Sequence, residues 1–167
     1  MTLNPRPTAD GDALWRFSLA LYARRGVADG LIALQDRAGC DVNLLLYALW
    51  LGVRGVPLDA AALAAAASAI APINAAAVAP LRRLRRQLRG TDDRSLAALR
   101  RRVLRLELAA ERQAQDRLAA LPTAEPGQEV GRLGIAAANL ALYLGGRHRE
   151  PEAALLLDAL AGLMRRR

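Results

Sequence analysis

The sequence predicts an all-α protein: a single-domain multi-helix bundle of about seven to eight helices around a buried central helix, residues 41–53. Three observations predict it. The composition is 53% apolar but only 4% aromatic, dominated by alanine and leucine with few β-branched residues, which favours helices over strands. At 167 residues the chain is long enough to bury a core as one domain. The stretch Asp41–Val53 is apolar on every side. At about 100° per residue, Val42, Leu45, Leu46, Leu49 and Val53 fall on one side, and Leu44, Tyr47 and Leu51 on the other, with Trp50 between. A helix without a solvent face needs neighbours all round.

Residues 1–11 hold two prolines, Asn4 and Gly11 and are expected as a flexible tail; residues 12–167 are expected as one helical domain. The first helix spans about Asp12 to Ala23, with Leu14, Phe17, Leu21 and Tyr22 inward, and ends at Arg24-Arg25-Gly26. The second spans Val27 to Ala38, with Leu31, Ile32, Leu34 and Gln35 on one face, and stops at Gly39. Asp41 is a ready N-cap for the central helix, and Gly52 and Gly55 are placed to end it. Leu58-Asp59 opens a fourth helix to about Ala71, which Pro72 should kink or end. Asn74 to Ala79 is a second short helical piece or a continuation of the first, and Pro80 fits the first turn of a helix from Leu81 to Arg89. Thr91-Asp92-Asp93 starts a long helix to about Ala120, stopped by Pro122. A loop over Thr123 to Gln128 follows, then a C-terminal helical pair within 129–166, Glu129 to Leu144 and Glu152 to Met164.

The residue inventory excludes much chemistry. No lysine occurs and all 24 basic residues are arginine, so there is no Schiff-base lysine and no Walker-type phosphate loop. One cysteine and one histidine exclude an internal disulfide and a Cys/His zinc site. A serine triad would need His148, which lies in a charged Gly-Gly-Arg-His-Arg loop. Cys40 reads as a small buried side chain at a corner rather than a reactive thiolate, because no basic residue adjoins it. No cofactor or metal is expected. The first residues lack a signal-peptide layout, and the uncharged run Ala60 to Leu81 is mostly alanine, so a buried or interfacial helix is expected there and a cytoplasmic location overall.

The net charge of +8 is concentrated. Leu81 to Arg105 carries ten arginines and two aspartates, while acids and arginines cancel over the remainder. Leu81, Leu84 and Leu88 make a narrow stripe with arginines opposite. The candidate basic surface is Arg83, Arg86, Arg89, Arg101, Arg102 and Arg105, which reads first as a face for a protein partner or as a plain solvated face, with nucleic acid as the alternative and a membrane surface least. No aromatic residue lies between 51 and 142, so this region offers no base stacking.

In the long helix, Leu96, Leu99, Val103, Leu106 and Ala110 form the apolar stripe, and Glu107 and Glu111 stand one turn apart beside it. The pair suits acid/base or metal chemistry in principle. No Glu-x-x-His or fuller ligand set accompanies it, so internal salt bridges to Arg82 or Arg85 are the preferred reading.

The ordered run Leu14-Trp15, Leu21-Tyr22, Gly26-Val27, Leu34-Gln35-Asp36, Gly39, Asp41-Val42-Asn43-Leu44-Leu45-Leu46 and Leu49-Trp50-Leu51 resembles a small proteobacterial family catalogued only as a domain of unknown function. The resemblance continues through Pro80-Leu81-Arg82, Arg85-Arg86, Glu107-Leu108 and Glu111-Arg112 and marks residues 12–121 as a family-like core. The chain departs from it at Ile73 and Asn74, where a tryptophan is expected. The resemblance implies no activity, cofactor or partner. It draws attention to a candidate polar cluster: Gln35, Asp36, Asp41, Asn43, Arg82, Arg85, Glu107 and Glu111. The functional expectation is a non-catalytic helical interaction module using the arginine-rich face. An RNA- or ribosome-associated protein is the alternative, and an enzyme built on Asp36, Asp41, Glu107 and Glu111 is weaker.

Overall fold

The computed structural model describes residues 9–90, 92–124 and 131–165. Among these there are eight α-helices and no strand: α1 Ala9–Tyr22, α2 Val27–Ala38, α3 Val42–Val53, α4 Ala60–Ile73, α5 Ala79–Gln87, α6 Arg94–Ala119, α7 Arg132–Leu144 and α8 Pro151–Met164. The expected tail is partly helix, since α1 already begins at Ala9; residues 1–8, and the part of the expected 123–128 loop from 125 on, lie outside the described residues.

Central helix α3 is buried without interruption from Val42 to Gly52. Asp41 caps it, its Oδ1 accepting from the Asn43 amide at 2.8 Å and the Leu44 amide at 3.2 Å. Gly52 does not end the helix as expected. It lies inside the helix at the crossing with α7, where a Cβ would meet the Ala136 Cα at 2.2 Å. Only glycine lets the two backbones come this close. The turn that ends the helix falls to Gly55, at φ 78. Helices α1, α6 and α7 all contact α3, α7 most extensively. The core joins Leu14, Leu21, Leu31 and Leu34 to Leu45 and Leu49 of α3 and to Leu140, Leu156 and Leu160 of the C-terminal pair.

Buried Asn139 of α7 fastens the exit of α3. Its Nδ2 donates to the Ala48 carbonyl at 3.1 Å and the Val56 carbonyl at 3.0 Å, and its Oδ1 accepts from the Leu58 amide at 2.8 Å.

Pro72 neither ends nor breaks its helix. A π-helical turn, Asn74–Val78, follows α4 and passes directly into α5, making one rod over Ala60–Gln87. Pro72 and Pro80 each lack an amide donor. The wider i→i+5 register falls between them, with the Ala79 amide donating to the Asn74 carbonyl. By length and composition this rod could cross a membrane. Of the buried or interfacial helix expected here, one side, carrying Ala66, Ile70, Ile73 and Val78, is buried, and most of its alanines are exposed.

Helix α6 has 26 residues, roughly 39 Å at 1.5 Å per residue, and outruns the bundle. Its second half bonds to α1 and α3 through Arg112 and Gln115. The stripe expected to be buried is only partly covered. Val103 and Ala110 are buried, but Leu96, Leu99 and Leu106 stay 39%, 42% and 59% exposed. Ile32, expected on an inward face, is exposed as well, and Tyr22 keeps about a third of its surface, 37%, in solvent while the rest is covered.

Candidate functional site

The candidate polar cluster does not meet at one place. It divides into three groups on different elements.

The first group is a closed ion network between α5 and α6. Arg82 Nε donates to Glu107 Oε1 at 3.1 Å, and its Nη2 donates to Glu111 Oε1 at 2.6 Å. Arg85 donates from Nε to Glu107 Oε2 and from Nη2 to Oε1 at 3.1 Å. Glu107 is 3% exposed, and two guanidiniums occupy it. Burial pushes the Glu111 carboxyl above its ordinary value, outweighing the Arg82 hydrogen bond that acts against it. Tyr22 at the end of α1 senses the same charges. Burial first, then Glu111, pushes its hydroxyl up to about 12. With Glu107 held by two arginines and Glu111 by one, this pair serves as the counter-charge that fastens the base of the hairpin. Among the described residues no group of three His, Cys, Asp or Glu side chains could hold a metal.

The second group is inside the core. Asn43 faces α6, where its Oδ1 accepts from Gln115 Nε2 at 3.1 Å. Gln115 Oε1 lies 3.2 Å from Ser18 Oγ. This buried chain ties α1, α3 and α6, and Asn43 takes no part in an open site.

The third group lines an open cleft of about 760 Å³. Gln35, Asp36, Cys40 and Asp41 form the wall from the α2–α3 corner. Asn74, Arg82, Arg83 and Arg86 form the opposite wall, from the π turn and α5. The corner is rigid. Asp41 N donates to the Tyr143 hydroxyl at 2.6 Å, which lies 3.1 Å from the Asp41 carbonyl. Burial raises the Tyr143 hydroxyl well above its ordinary value. Asp41 Oδ2 accepts from Asn74 Nδ2, so all three acceptor contacts of its carboxylate are internal. An ionised carboxylate only accepts, which fixes the Asn74 amide with its nitrogen toward Asp41 and its oxygen away. That oxygen, Asn74 Oδ1, is buried with no donor among the described residues. Such an atom costs about 1–3 kcal/mol when nothing meets it. Arg86 pairs with Asp36 from wall to wall. Slight burial raises the Asp36 carboxyl, but the Gln35 amide and the Arg86 guanidinium outweigh it and hold the group below its ordinary value. Burial pushes the Cys40 thiol up, against Arg147. Sequence reasoning passed over Asn74, Asn139 and Tyr143. Each is a polar side chain set in a mostly apolar stretch, and only the position before Pro80, where the family pattern breaks, drew attention to Asn74.

A second cleft, at the other end of the bundle, is lined by Phe17, Trp50, Leu160, Met164, Arg16 and Arg54 among others. Arg54 is engaged there, 4.5 Å over the Trp50 ring and 3.2 Å from Asp10.

The candidate basic surface lies on the hairpin. Arg83, Arg89, Arg101, Arg102 and Arg105 are exposed and make no ion pair among the described residues; Arg86 is the member held by a carboxylate. The half-exposed leucines Leu84, Leu96, Leu99, Leu104, Leu106 and Leu108 lie on the same two helices.

No curated protein and no solved structure matches the chain. A family model described as protein of unknown function (DUF2390) matches residues 13–118, from α1 to the end of α6 and so through both walls of the open cleft and the whole hairpin. By that match, which covers more than half of its length, the chain belongs to the DUF2390 family.

Proposed function

We propose that this protein is a non-catalytic helical interaction module that seats an acidic amphipathic helix of a partner protein on the α5–α6 hairpin. One observation carries the reading: the uncovered stripe on α6. Leu96, Leu99, Val103, Leu106 and Ala110 follow the alternating three- and four-residue spacing of a coiled-coil seam. Three of these five side chains are more than a third exposed. Such a seam fits the apolar face of one further helix. Arg102, one position before Val103, flanks it without a carboxylate partner among the described residues, and the segment Leu81–Arg105 carries a net charge of +8. An acidic partner matches that charge and gains on-rate from it. A second copy of this chain would bring two strongly positive hairpins together within about one Debye length, roughly 8 Å at physiological salt.

The test uses a fluorescent synthetic helix of about three heptads, with leucine at the seam and glutamate on the flanks. Binding tighter than about 100 μM at low salt is expected. It should weaken as salt rises, and should fall at least tenfold in the Leu99→Glu/Leu106→Glu double variant. Absence of binding, or binding indifferent to those leucines, overturns the reading. Binding of an RNA oligomer at ~50 mM salt that needs the arginines but not the leucines would replace the protein partner with RNA.

A further inference from the structure

We propose that the partner helix lies in the groove between α5 and α6, as the third helix of a bundle, and therefore carries a broad apolar face rather than a narrow coiled-coil seam. The inference rests on the hairpin reading above and deepens it.

Two internal contacts fix which way each helix of the hairpin faces. On α6, Gln115 donates to Asn43 in the core at 3.1 Å and marks the inward side. At about 100° per residue, Leu99 and Leu106 stand roughly 160° and 180° around the helix from Gln115, pointing away from the bundle. On α5, Arg86 pairs with Asp36 of α2 and marks the inward side of that helix. Leu84 stands roughly 160° from Arg86, and Leu81 roughly 140°. The leucines of both helices therefore open on the same outer side of the hairpin, with the bonds of Arg82 and Arg85 to Glu107 holding the two helices together. Leu84 is 39% exposed and Leu81 is half-buried, so α5 contributes apolar surface beside the uncovered α6 stripe.

Two helices held side by side leave a groove in which a third can rest, at interaxial distances of about 8–10 Å. A helix in that groove has two neighbours at once. It needs an apolar arc of about 100° or more, with residues at a, d and one further heptad position, whereas a helix on α6 alone needs only a and d. Charge selects the rest of its surface. The segment Leu81–Arg105 carries a net charge of +8, so the face turned from the groove is acidic.

The experiment uses two fluorescent synthetic helices of about three heptads, equal in length and net charge. One has leucine at a and d only, the other at a, d and e, and both carry glutamate elsewhere on their polar faces. Each is titrated against the full chain at low salt and followed by anisotropy. The broad-faced helix should bind at least tenfold tighter. Leu84→Glu should abolish that advantage, and the milder Leu84→Ala should reduce it about threefold. Leu104→Glu changes a residue that is 38% exposed but lies within about 20° of Gln115, on the inward side, and should leave both affinities unchanged. Circular dichroism of each variant checks that the fold is retained. Equal binding of the two helices, or an advantage that survives Leu84→Ala and Leu84→Glu, puts the partner on α6 alone; it overturns this inference and leaves the hairpin reading standing. Loss of binding in a folded Leu104→Glu variant overturns the outward placement. If neither helix binds the parent chain, the hairpin reading fails and this inference fails with it.

Discussion

Glu107 and Glu111 stand one turn apart on α6, yet their neutralisation should have very different consequences. Glu107→Gln preserves shape and removes a charge from a carboxylate that is 3% exposed and met by two guanidiniums. Removing one member of a buried pair costs about 3–5 kcal/mol. Here Arg82 and Arg85 keep 20% and 19% of their side chains in solvent, so they recover part of their hydration. About 2–3 kcal/mol is the expected loss. For a chain of this size that is a fall in Tm of roughly 4–12 °C. Glu111 has one arginine, is 22% exposed, and burial already lifts its carboxyl above the ordinary value. Glu111→Gln should therefore cost no more than about 1 kcal/mol. Urea unfolding followed by circular dichroism at helical wavelengths gives both numbers. If Glu107→Gln stays within about 0.5 kcal/mol of the parent, or if Glu111→Gln proves the costlier change, the network is not what holds the hairpin base.

Other consequences follow from single contacts. Gly52→Ala forces a methyl group against the Ala136 backbone, and should destabilise by about 3 kcal/mol or more, or leave the chain insoluble; a parent-like melting curve would contradict the close crossing. Asn139→Ala strands the Ala48 and Val56 carbonyls and the Leu58 amide, with an expected loss of about 2–4 kcal/mol in the same unfolding assay. Tyr22 has a folded pKa raised to about 12 from 10.0, so its neutral form stabilises the fold fully below pH 10, and that contribution disappears as pH rises through about 12. Tyrosinate absorbance, compared between the parent and Tyr22→Phe, should assign a component near 12 to this residue, and a component near 10 would remove the burial argument.

Much of the architecture was legible because local chemistry determined it. Helix α2 runs from Val27 to Ala38 between Gly26 and Gly39, both in the left-handed region that glycine tolerates. Asp41 and Asp93 are N-caps whose side chains accept the first free amides. An apolar circumference marked α3 for burial before any neighbour was known. What escaped depends on partners distant in sequence. The stripe on α6 follows from spacing, but whether another helix covers it depends on where the bundle ends. Pro72 alone argues for a stop, and the π turn that carries the helix onward takes its register from Pro80 as well. The family resemblance placed Asn43 in the candidate polar cluster beside Asp41, yet Gln115, 72 positions later, draws it into the core. Asn139 bonds to two main-chain carbonyls and one amide, and no side-chain pattern reveals such partners.

The meeting of Gly52 with Ala136 also imposes an order on biosynthesis. Ala136 emerges about 84 residues after Gly52, which at 5–20 residues per second is roughly 4–17 s of translation. During that interval α3 has no partner along its α7 side, and that side is wholly apolar. Of the helices that pack on α3, α1 and α6 both precede α7, so those two sides can be covered early while the α7 side waits. A nascent chain arrested at the end of α6 would carry every residue matched by the family model and still present an open hydrophobic trough. Only the synthesis of α7 brings Ala136 against Gly52 and closes that side.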